Sequence, residues 1–352
     1  MTINDLQEQM RKIKEQLGYS PAEKDDQGRY ENRPPRKDEP HREQKNNPGQ
    51  SQNDQTPNVG WLFYFDYFRE VDFSKVGKEK PEKKKGKEKT PNQILLESKN
   101  QRLFNLSLDN YRPSQYALPH LNKEDTFDLT TTYPGLLVGS GYPHEIKSLG
   151  EVKLGFFFDH TSGLPIIPGS SVKGVCRSIF EPANSTDLVN YFLMLELEDG
   201  FMQPLKTKAL SPDEVIDLKK EIFEGIDVIE ERRKKNKENG CYLPATGKDV
   251  FHDAIIWKSE HPFGQDGGKT GKFLANDYIT PHINRDNRKL DAFTDPTPLQ
   301  FLKVLPKVNF RFQFDLKDGA ILNKKEKMEL FRRILLHLGI GAKTNVGYGQ
   351  FQ

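Results

Sequence analysis

The clearest pattern along the chain is an alternation of apolar and polar residues, which is typical of a strand with one buried face. It runs through VNFRFQFDL (308–316) and EVKLGFFFD (151–159), and KDVFHDAIIW (248–257) also predicts a strand. In the first stretch the inward set is Phe310, Phe312, Phe314 and Leu316, and the outward set is Arg311, Gln313 and Asp315. In the second stretch the shared face consists of Val152, Leu154, Phe156 and Phe158.

Other segments have the three- and four-residue spacing of an amphipathic helix. The segment LPIIPGSSVKGVCRSIF (164–180) predicts a helix that is capped by Ser170 or Ser171. Its inner stripe is Val172, Val175, Cys176 and Ile179. Residues 183–235 predict further helix, and a last helix ends at Gly339. The apolar residues of that last helix are Met328, Phe331, Ile334, Leu335 and Leu338.

The order of these elements is strand, helix, strands, helix and a short last strand. This order resembles βαββαβ with insertions. We therefore predict an α+β fold in which an antiparallel sheet carries helices on one face.

The N-terminal part has a different composition. A narrow apolar stripe formed by Ile3, Leu6, Met10, Ile13 and Leu17 predicts a short helix, either a fraying end or a docking helix on a flexible leash. Residues 18–58 have almost no aliphatic side chains and cannot bury enough apolar area to offset the entropy of ordering. We assign 1–58 to a mostly disordered polar extension.

Residues 59–120 form a second predicted region, which leads into a folded domain over 121–352. It contains the aromatic stretch WLFYFDYF (61–68), for which we predict a strand folded onto the core; the alternative is an anchor in a partner's groove. A lysine-rich linker follows at 75–90.

Composition excludes several classes of protein. Hydrophobic residues make up 34% and charged residues 30% of the 352 positions, and the net charge of +2 argues neither for nor against nucleic acid. The N-terminus lacks the apolar stretch of a signal peptide, and no stretch reaches the length of a membrane span, so we expect a soluble, cytoplasmic protein without a membrane partner.

No motif for a cofactor, a metal or catalysis is complete. GQDGGKT (264–270) has three residues where a phosphate-binding P-loop needs four, and no strand leads into it. The histidines form no metal-binding motif with Cys176 and Cys241, and these two cysteines do not make a disulfide framework. We therefore expect no cofactor, no metal and no enzymatic activity.

Two segments carry chemistry. In PGSSVKG (168–174) a helix N-terminus is flanked by glycine, serine and basic residues, which favours phosphate. Its candidate residues are Gly169, Ser170, Ser171, Lys173 and Arg177; the alternative is ordinary capping with an exposed lysine and arginine.

The second segment is GIGAKTNVGYGQF (339–351). Gly339 and Gly341 let the chain turn sharply after a helix, and Gly347 and Gly349 remove side chains that would block a close approach. With Lys343 for charge and Tyr348 as a flat surface, the segment suits a passing sugar-phosphate strand; the alternative is a helix C-cap followed by an edge strand. The candidates here are Gly341, Lys343, Gly347 and Tyr348.

Together the two segments resemble the hallmarks of the RAMP superfamily, the RNA-binding subunits of type III CRISPR effector complexes. TTYPGLLVGSGYPHE (131–145), NDYITPHI (276–283) and DPTPLQFLKV (295–304) extend the resemblance toward the sixth-subunit family of the type III-B Cmr complexes. It covers roughly Thr130 to Phe351 and not the first 120 or so residues.

The resemblance implies a ferredoxin-like or RRM-like βαββαβ core, with the glycine-rich segment beside the helix that PGSSVKG begins. It implies a non-catalytic scaffold subunit for antiviral defence that binds guide RNA (crRNA) near its 3′ end. The implied partners are target RNA, the repeated backbone subunit and other Cmr subunits. His144, His282 and Arg285 are further candidates for RNA contact. The alternative is a RAMP-family endoribonuclease that processes guide RNA.

Overall fold

A computed structural model describes residues 57–76, 82–84, 87–139, 150–195, 203–225, 249–262, 270–279 and 299–352. The predicted N-terminal helix, nearly all of the polar extension and most of GQDGGKT lie outside these residues, as do residues 77–81 and 85–86 of the lysine-rich linker. Cys241 and the end of the stretch predicted to be helical up to residue 235 also lie outside them. Within the described residues, no helix combines the length and apolar content that crossing a membrane requires.

The elements are numbered in chain order. The α-helices are α1 (Val59–Tyr64), α2 (Pro91–Phe104), α3 (Gly169–Ser178), α4 (Ser185–Met194), α5 (Pro212–Lys219) and α6 (Lys324–Leu338). The strands are β1 (Glu82–Lys84), β2 (Lys87–Lys89), β3 (Thr126–Thr130), β4 (Lys153–Leu154), β5 (Phe157–Phe158), β6 (Pro165–Ile167), β7 (Val250–Phe251), β8 (Ala254–Ser259), β9 (Leu274–Ile279), β10 (Leu299–Val304) and β11 (Val308–Asp315). Short 3₁₀ turns lie at Asp66–Phe68, Leu108–Asn110, Pro113–Tyr116, Lys123–Asp125 and Thr344–Val346, and a π-helical turn at Lys220–Glu224 extends α5.

The main sheet is antiparallel and has the strand order β3-β11-β8-β6-β5, with β7 paired to the far end of β11. The C-terminus extends this sheet at its β3 edge. Phe351 bridges Thr131, and Gln352 exchanges two backbone hydrogen bonds of 2.9 and 3.0 Å with Thr130. The end of the chain is therefore part of the sheet.

A second, smaller sheet has the order β4-β10-β9. Its strand β10 is parallel to β4 and antiparallel to β9, and residues 280–298 connect β9 to β10 in sequence. The two sheets are joined along the chain by a tight connection between β10 and β11, so that side chains from both enter one hydrophobic core.

Strand β11 lies between β3 and β8 in the main sheet, and its alternate phenylalanines point into the hydrophobic core. Phe310, Phe312 and Phe314 are fully buried, and Phe314 packs against Phe331 of α6 with ring centroids 5.6 Å apart. On the opposite face Arg311 forms two 2.7 Å hydrogen bonds to Asp128 of β3. Gln313, which was predicted to lie outward, is buried instead, and its side-chain amide donates a 3.2 Å hydrogen bond to the Asp253 carbonyl. The predicted mixed α+β structure with an antiparallel sheet and helices is confirmed.

Two predicted strands differ from the structure. EVKLGFFFD is split into β4 and β5, which belong to different sheets, because the chain passes the β10 backbone at Gly155. A Cβ on Gly155 would lie 2.3 Å from the Leu302 carbonyl oxygen. The residues of the predicted face are still buried, because alternate positions point into the same core on either side of the break.

The strand prediction for WLFYFDYF was wrong, because the segment is α1 followed by a 3₁₀ turn. Asn58 caps the helix, with its side-chain oxygen accepting a 2.8 Å hydrogen bond from the Trp61 N–H. Val59, Leu62 and Phe63 then fall at helical spacing on the buried side. The segment packs on the core, as the preferred interpretation required, but with helical periodicity.

One buried carboxyl, that of Glu151, lies just before β4 of the second sheet. The Glu151 side chain is 3% exposed, and its Oε2 accepts a 3.1 Å hydrogen bond from Lys153. Its Oε1 has no hydrogen-bond partner among the described residues. Burial raises the pKa of Glu151 to about 7, and the Lys153 ammonium only partly opposes this.

We expect Glu151 to make the protein less stable as the pH rises from about 4.5 to about 7. In that window the folded state holds a proton that the unfolded chain has released, so raising the pH favours unfolding. Glu151→Gln should remove this dependence and stabilise the protein at pH 8 by about 1–2 kcal/mol, after allowance for solvent screening. Denaturant unfolding at a series of pH values measures the effect.

The matched control is Glu124→Gln, because the Glu124 side chain is 67% exposed. It should leave the pH profile unchanged. A wild-type profile that is flat between these pH values would contradict the assignment.

Candidate functional site

The predicted helix of PGSSVKG is present as α3, but it is not capped by Ser170 or Ser171. Its first N–H, from Gly169, donates a 2.7 Å hydrogen bond to Asp253 Oδ1. Asp253 is brought there by the connection between β7 and β8, and a carboxylate is favourable at a helix N-terminus. The end that was predicted to hold phosphate therefore already holds a carboxylate of the same chain.

Gly169 is also explained by the protein's own packing. A Cβ at this position would lie 2.2 Å from the Phe251 carbonyl oxygen of β7. Ser170 is exposed and Ser171 is partly exposed, so their hydroxyls remain accessible beside the helix start.

The two basic candidates of α3 lie four residues apart. The Lys173 ammonium is 5.9 Å from the centre of the Phe251 ring. Arg177 donates a 2.7 Å hydrogen bond to Glu181, which also pairs with Lys219 at 3.0 Å. Hydrogen bonds from Arg177 and then Lys219 lower the pKa of Glu181. Arg177 and Lys219 share this one carboxylate, so the three side chains keep a net positive charge that can attract an anion.

The C-terminal glycines lie against the protein's own backbone. Gly341 and Gly349 have positive φ angles of 106° and 68°. A Cβ on Gly341 would lie 2.1 Å from the Leu137 carbonyl oxygen, and one on Gly349 would lie 1.9 Å from that of Ile340. The close approach that we predicted for RNA is made here by neighbouring parts of the chain.

Backbone hydrogen bonds complete this arrangement. The N–H of Ala342 donates to Leu137 at 2.7 Å, and the N–H of Gly349 donates to Gly135 at 2.8 Å. Gly347 differs from Gly341 and Gly349 in what a side chain would meet. Its φ of 95° also favours glycine, but the nearest atom to a Cβ would be Pro134 Cδ, at 3.3 Å, and not a backbone carbonyl oxygen. The segment is thus fixed against residues 133–138 along its length.

Tyr348 is not an open flat surface, because its side chain is 8% exposed. Its hydroxyl donates a 2.6 Å hydrogen bond to Asp277 Oδ2, which also accepts a 2.5 Å hydrogen bond from Lys303. Burial, and then the bond to Asp277, raise the pKa of Tyr348. Tyr348 therefore attaches the terminal segment to β9 and β10 of the second sheet.

Asp277 is ionised at the centre of this cluster. Burial alone would raise the pKa of Asp277, but hydrogen bonds from Lys303, Tyr348 and the Tyr278 N–H outweigh it and hold that pKa below its usual range. Lys303 also lies 5.6 Å from the centre of the Tyr348 ring. Sequence reasoning missed this cluster, because no local pattern links residues 277, 303 and 348.

Lys343 and Tyr133 are exposed side chains at the terminal segment and beside it. Lys343 is exposed, in a left-handed conformation with φ of 60°, at the start of the 3₁₀ turn Thr344–Val346. Tyr133 is 84% exposed, and its carbonyl oxygen is 3.7 Å from the position of a Cβ on Gly347. The sequence signal that could have singled out Tyr133 is the Pro134-Gly135 pair, which predicts a turn and hence an exposed flank.

The two predicted segments do not meet. The start of α3 contacts Phe251, which pairs with Phe314 near the end of β11. The terminal segment joins Thr131, whose N–H donates to Val308 at the beginning of the same strand. The two ends of β11 are about 23 Å apart. The start of α3 and the glycine-rich segment are therefore separated by about the length of β11.

Of the other predicted contacts, His144, His282 and Arg285 lie outside the described residues. Within the described part of the chain, no group of histidine, cysteine and carboxylate side chains is arranged to hold a metal ion. The rings of His120 and His252 are in contact, with centroids 6.0 Å apart. His252 adjoins Asp253, so this pair lies near the start of α3.

Comparison with known proteins gives one family and several relatives. A family model described as the RAMP superfamily matches residues 128–352. The CRISPR system CMR subunit Cmr6 of Saccharolobus solfataricus is 27% identical over 229 residues, which are 64% of this chain and 56% of that protein.

Two solved structures are also similar. One chain of the type III-B Cmr-beta complex bound to cognate target RNA has a TM-score of 0.37 and 26% identity, over 64% of this chain and 57% of that one. Cmr6 from Pyrococcus furiosus has a TM-score of 0.29 and 23% identity, over 64% of this chain and 96% of that one. The matched region thus spans a little over half of the Saccharolobus protein and of the Cmr-beta chain.

We expect Gly349→Ala to destabilise the protein by at least about 1 kcal/mol, because alanine is strained at positive φ and its Cβ would overlap the Ile340 carbonyl. Gly174→Ala is the control. Gly174 lies in α3 with nothing within 4 Å of a Cβ, and alanine there should stabilise the helix by about 0.5–1 kcal/mol. Denaturant unfolding measures both. Equal stability of the two variants would contradict the assigned packing.

Proposed function

The chain belongs to the RAMP superfamily, and we propose that it is a non-catalytic, guide-RNA-binding scaffold subunit of a type III-B CRISPR complex that targets RNA. The observation that carries this proposal is the 229-residue match to the Cmr6 subunit of Saccharolobus solfataricus. Residues 121–352 would form the RAMP domain and 59–120 its lead-in.

The same relationship suggests where the subunit acts. We propose that it lies near the 3′ end of the guide RNA in the cytoplasm, contacts the repeated backbone subunit and other Cmr subunits, and contributes to antiviral defence. Target RNA would pair with the guide held by the assembled complex. The match covers only part of the relative, so these partners are proposed for the matched domain.

We also propose that the core is ferredoxin-like, or RRM-like. The support is the spatial order of the C-terminal residue Phe351, β3, β11 and β8, which is the order of strands four, one, three and two in a βαββαβ unit. Helix α6 connects β11 to the last strand in the required position. The hairpin β5-β6 would then be an insertion before α3.

Two basic regions would contact the guide. Lys343 is exposed beside the terminal turn, and Lys173 and Arg177 lie on α3 near the other end of the sheet. Lysine and arginine contact phosphates without reading sequence, which suits a subunit that must accept guides of any sequence. Their separation suits a strand of several nucleotides better than a single bound nucleotide.

One observation favours the alternative, an endoribonuclease that processes guide RNA. The rings of His120 and His252 are in contact, and imidazole groups can transfer protons to and from a ribose 2′-hydroxyl. Against it, His252 Nε2 is buried and has no partner among the described residues. Burial and the neighbouring His120 lower the pKa of His252, which disfavours its acid form.

We expect guide RNA to co-purify with the tagged protein and its partner subunits, and repeat RNA incubated with the protein without metal to remain uncut. His120→Ala and His252→Ala should behave as the wild type in both assays. Gel analysis of labelled RNA measures cleavage. Site-specific cleavage that is lost in either variant would establish the endoribonuclease and overturn the scaffold proposal.

We expect the double variant Lys173→Ala/Arg177→Ala to bind guide RNA more weakly for all guide sequences. The plot of log affinity against log salt should become shallower by about 1.4, because each phosphate contact to single-stranded RNA contributes about 0.7. Lys258→Ala is the control, since Lys258 is 65% exposed and pairs with Glu260. An unchanged slope in a folded double variant would show that Lys173 and Arg177 are only surface charges.

A further inference from the structure

Tyr133 is the most exposed large hydrophobic side chain that the structure describes. It is 84% exposed, although it immediately follows Thr131 and Thr132, which are hydrogen-bonded into the sheet edge. Contact between an aromatic ring and water is unfavourable, so a partner that covers the ring gains free energy of binding. The Tyr133 ring is therefore exposed to solvent next to backbone that is hydrogen-bonded into the sheet.

The backbone under Tyr133 is fixed on both sides. The Thr132 N–H donates to the Gln350 carbonyl at 3.0 Å, and the Gly135 N–H donates to Thr132 at 2.8 Å. On the terminal segment, Gly347 lies against Tyr133 and Pro134. A ring on such a turn loses little backbone entropy when something binds to it.

The surroundings of this ring favour an anionic partner. Lys343 is exposed at the start of the loop whose last residue, Gly347, touches the Tyr133 turn. Asp277, the acid bonded to neighbouring Tyr348, is already paired with Lys303. Val346, in the same loop, is 60% exposed and adds apolar surface. An open aromatic ring, a lysine and no unpaired carboxylate among these residues form the combination that binds single-stranded nucleic acid.

We propose that Tyr133 is a stacking platform for one unpaired base of the guide RNA and that Lys343 contacts an adjacent phosphate. This inference rests on the proposed function and adds the mode of recognition. The stacking does not depend on which base is present, because every base has a π face. The buried Tyr348 acts indirectly, by fixing the loop that carries Lys343.

A protein partner is the competing occupant of the ring. RNA is favoured because the charged group beside the ring is a lysine in a defined position, and because tyrosine stacking with a nearby cation is the usual arrangement in proteins that hold single strands. A protein contact would require the apolar surface of Tyr133 and Val346 to continue into a larger patch. Lys343, in the same loop, interrupts such a patch.

The test uses the full chain, purified with its partner subunits, and guide RNA transcribed from the host's CRISPR array. Tyr133→Ala should weaken guide binding about tenfold to a hundredfold, while Tyr133→Trp should bind at least as tightly as the wild type. The salt dependence of Tyr133→Ala should match the wild type, because no charge is removed. Lys343→Ala should instead make the slope shallower by about 0.7.

Two further variants keep the test interpretable. Tyr133→Leu retains apolar surface without a π face and should bind as weakly as the alanine variant. Tyr116→Ala removes another partly exposed tyrosine, on the turn Pro113–Tyr116, and should bind normally. Thermal melts of every variant check folding, and the exposed ring at 133 should be replaceable without loss of stability.

The outcomes separate this inference from the function it rests on. If the wild type retains no guide RNA, the proposed function fails. If the wild type retains RNA and Tyr133→Ala binds it as tightly, the stacking platform is overturned and the proposed function stands. If Tyr133→Ala keeps RNA but no longer joins its partner subunits, the ring is a protein contact and the inference is also overturned.

Discussion

The structure around the C-terminus depends on one constraint, the approach of two backbones to a distance that leaves no space for a Cβ. The carbonyl oxygens of Leu137 and Ile340 occupy the positions that side chains on Gly341 and Gly349 would take. This approach allows the backbone hydrogen bonds from Ala342 and Gly349, and it leads the chain to the edge of β3. Without it, the last residues could not complete the main sheet.

The same constraint links the two sheets. Once the terminal segment is in place, Tyr348 reaches Asp277 of β9, and Lys303 of β10 neutralises that carboxylate. A buried hydroxyl and a partly buried carboxylate would each be unfavourable alone, but together with the lysine they satisfy one another. The cluster therefore fixes the position of the loop that carries Lys343, and Tyr133 is exposed on the adjacent Thr132–Gly135 turn.

Helix α6 depends on buried polar contacts as well as on its apolar stripe. Lys327 forms a 2.6 Å ion pair with Asp249, and both side chains are almost fully buried. Arg333 is 1% exposed and donates hydrogen bonds to the Phe192, Leu195 and Gln203 carbonyls. These contacts fix the helix between β7 and α4, so that its C-terminal end delivers Gly339 to the glycine-rich turn.

The sequence by itself determined the elements whose signal is local. The inward face of β11 and the stripe of α6 were predicted correctly, because periodicity records which residues share one side of an element. Periodicity did not show that Gln313, on the other face of β11, is also buried. The family resemblance also came from short segments. What only the tertiary structure decided is which partner each residue meets: Gly341 contacts Leu137, Tyr348 contacts Asp277, and Tyr133 contacts little. These partners are far apart in sequence, and no local pattern distinguishes a glycine that faces RNA from one that faces its own backbone.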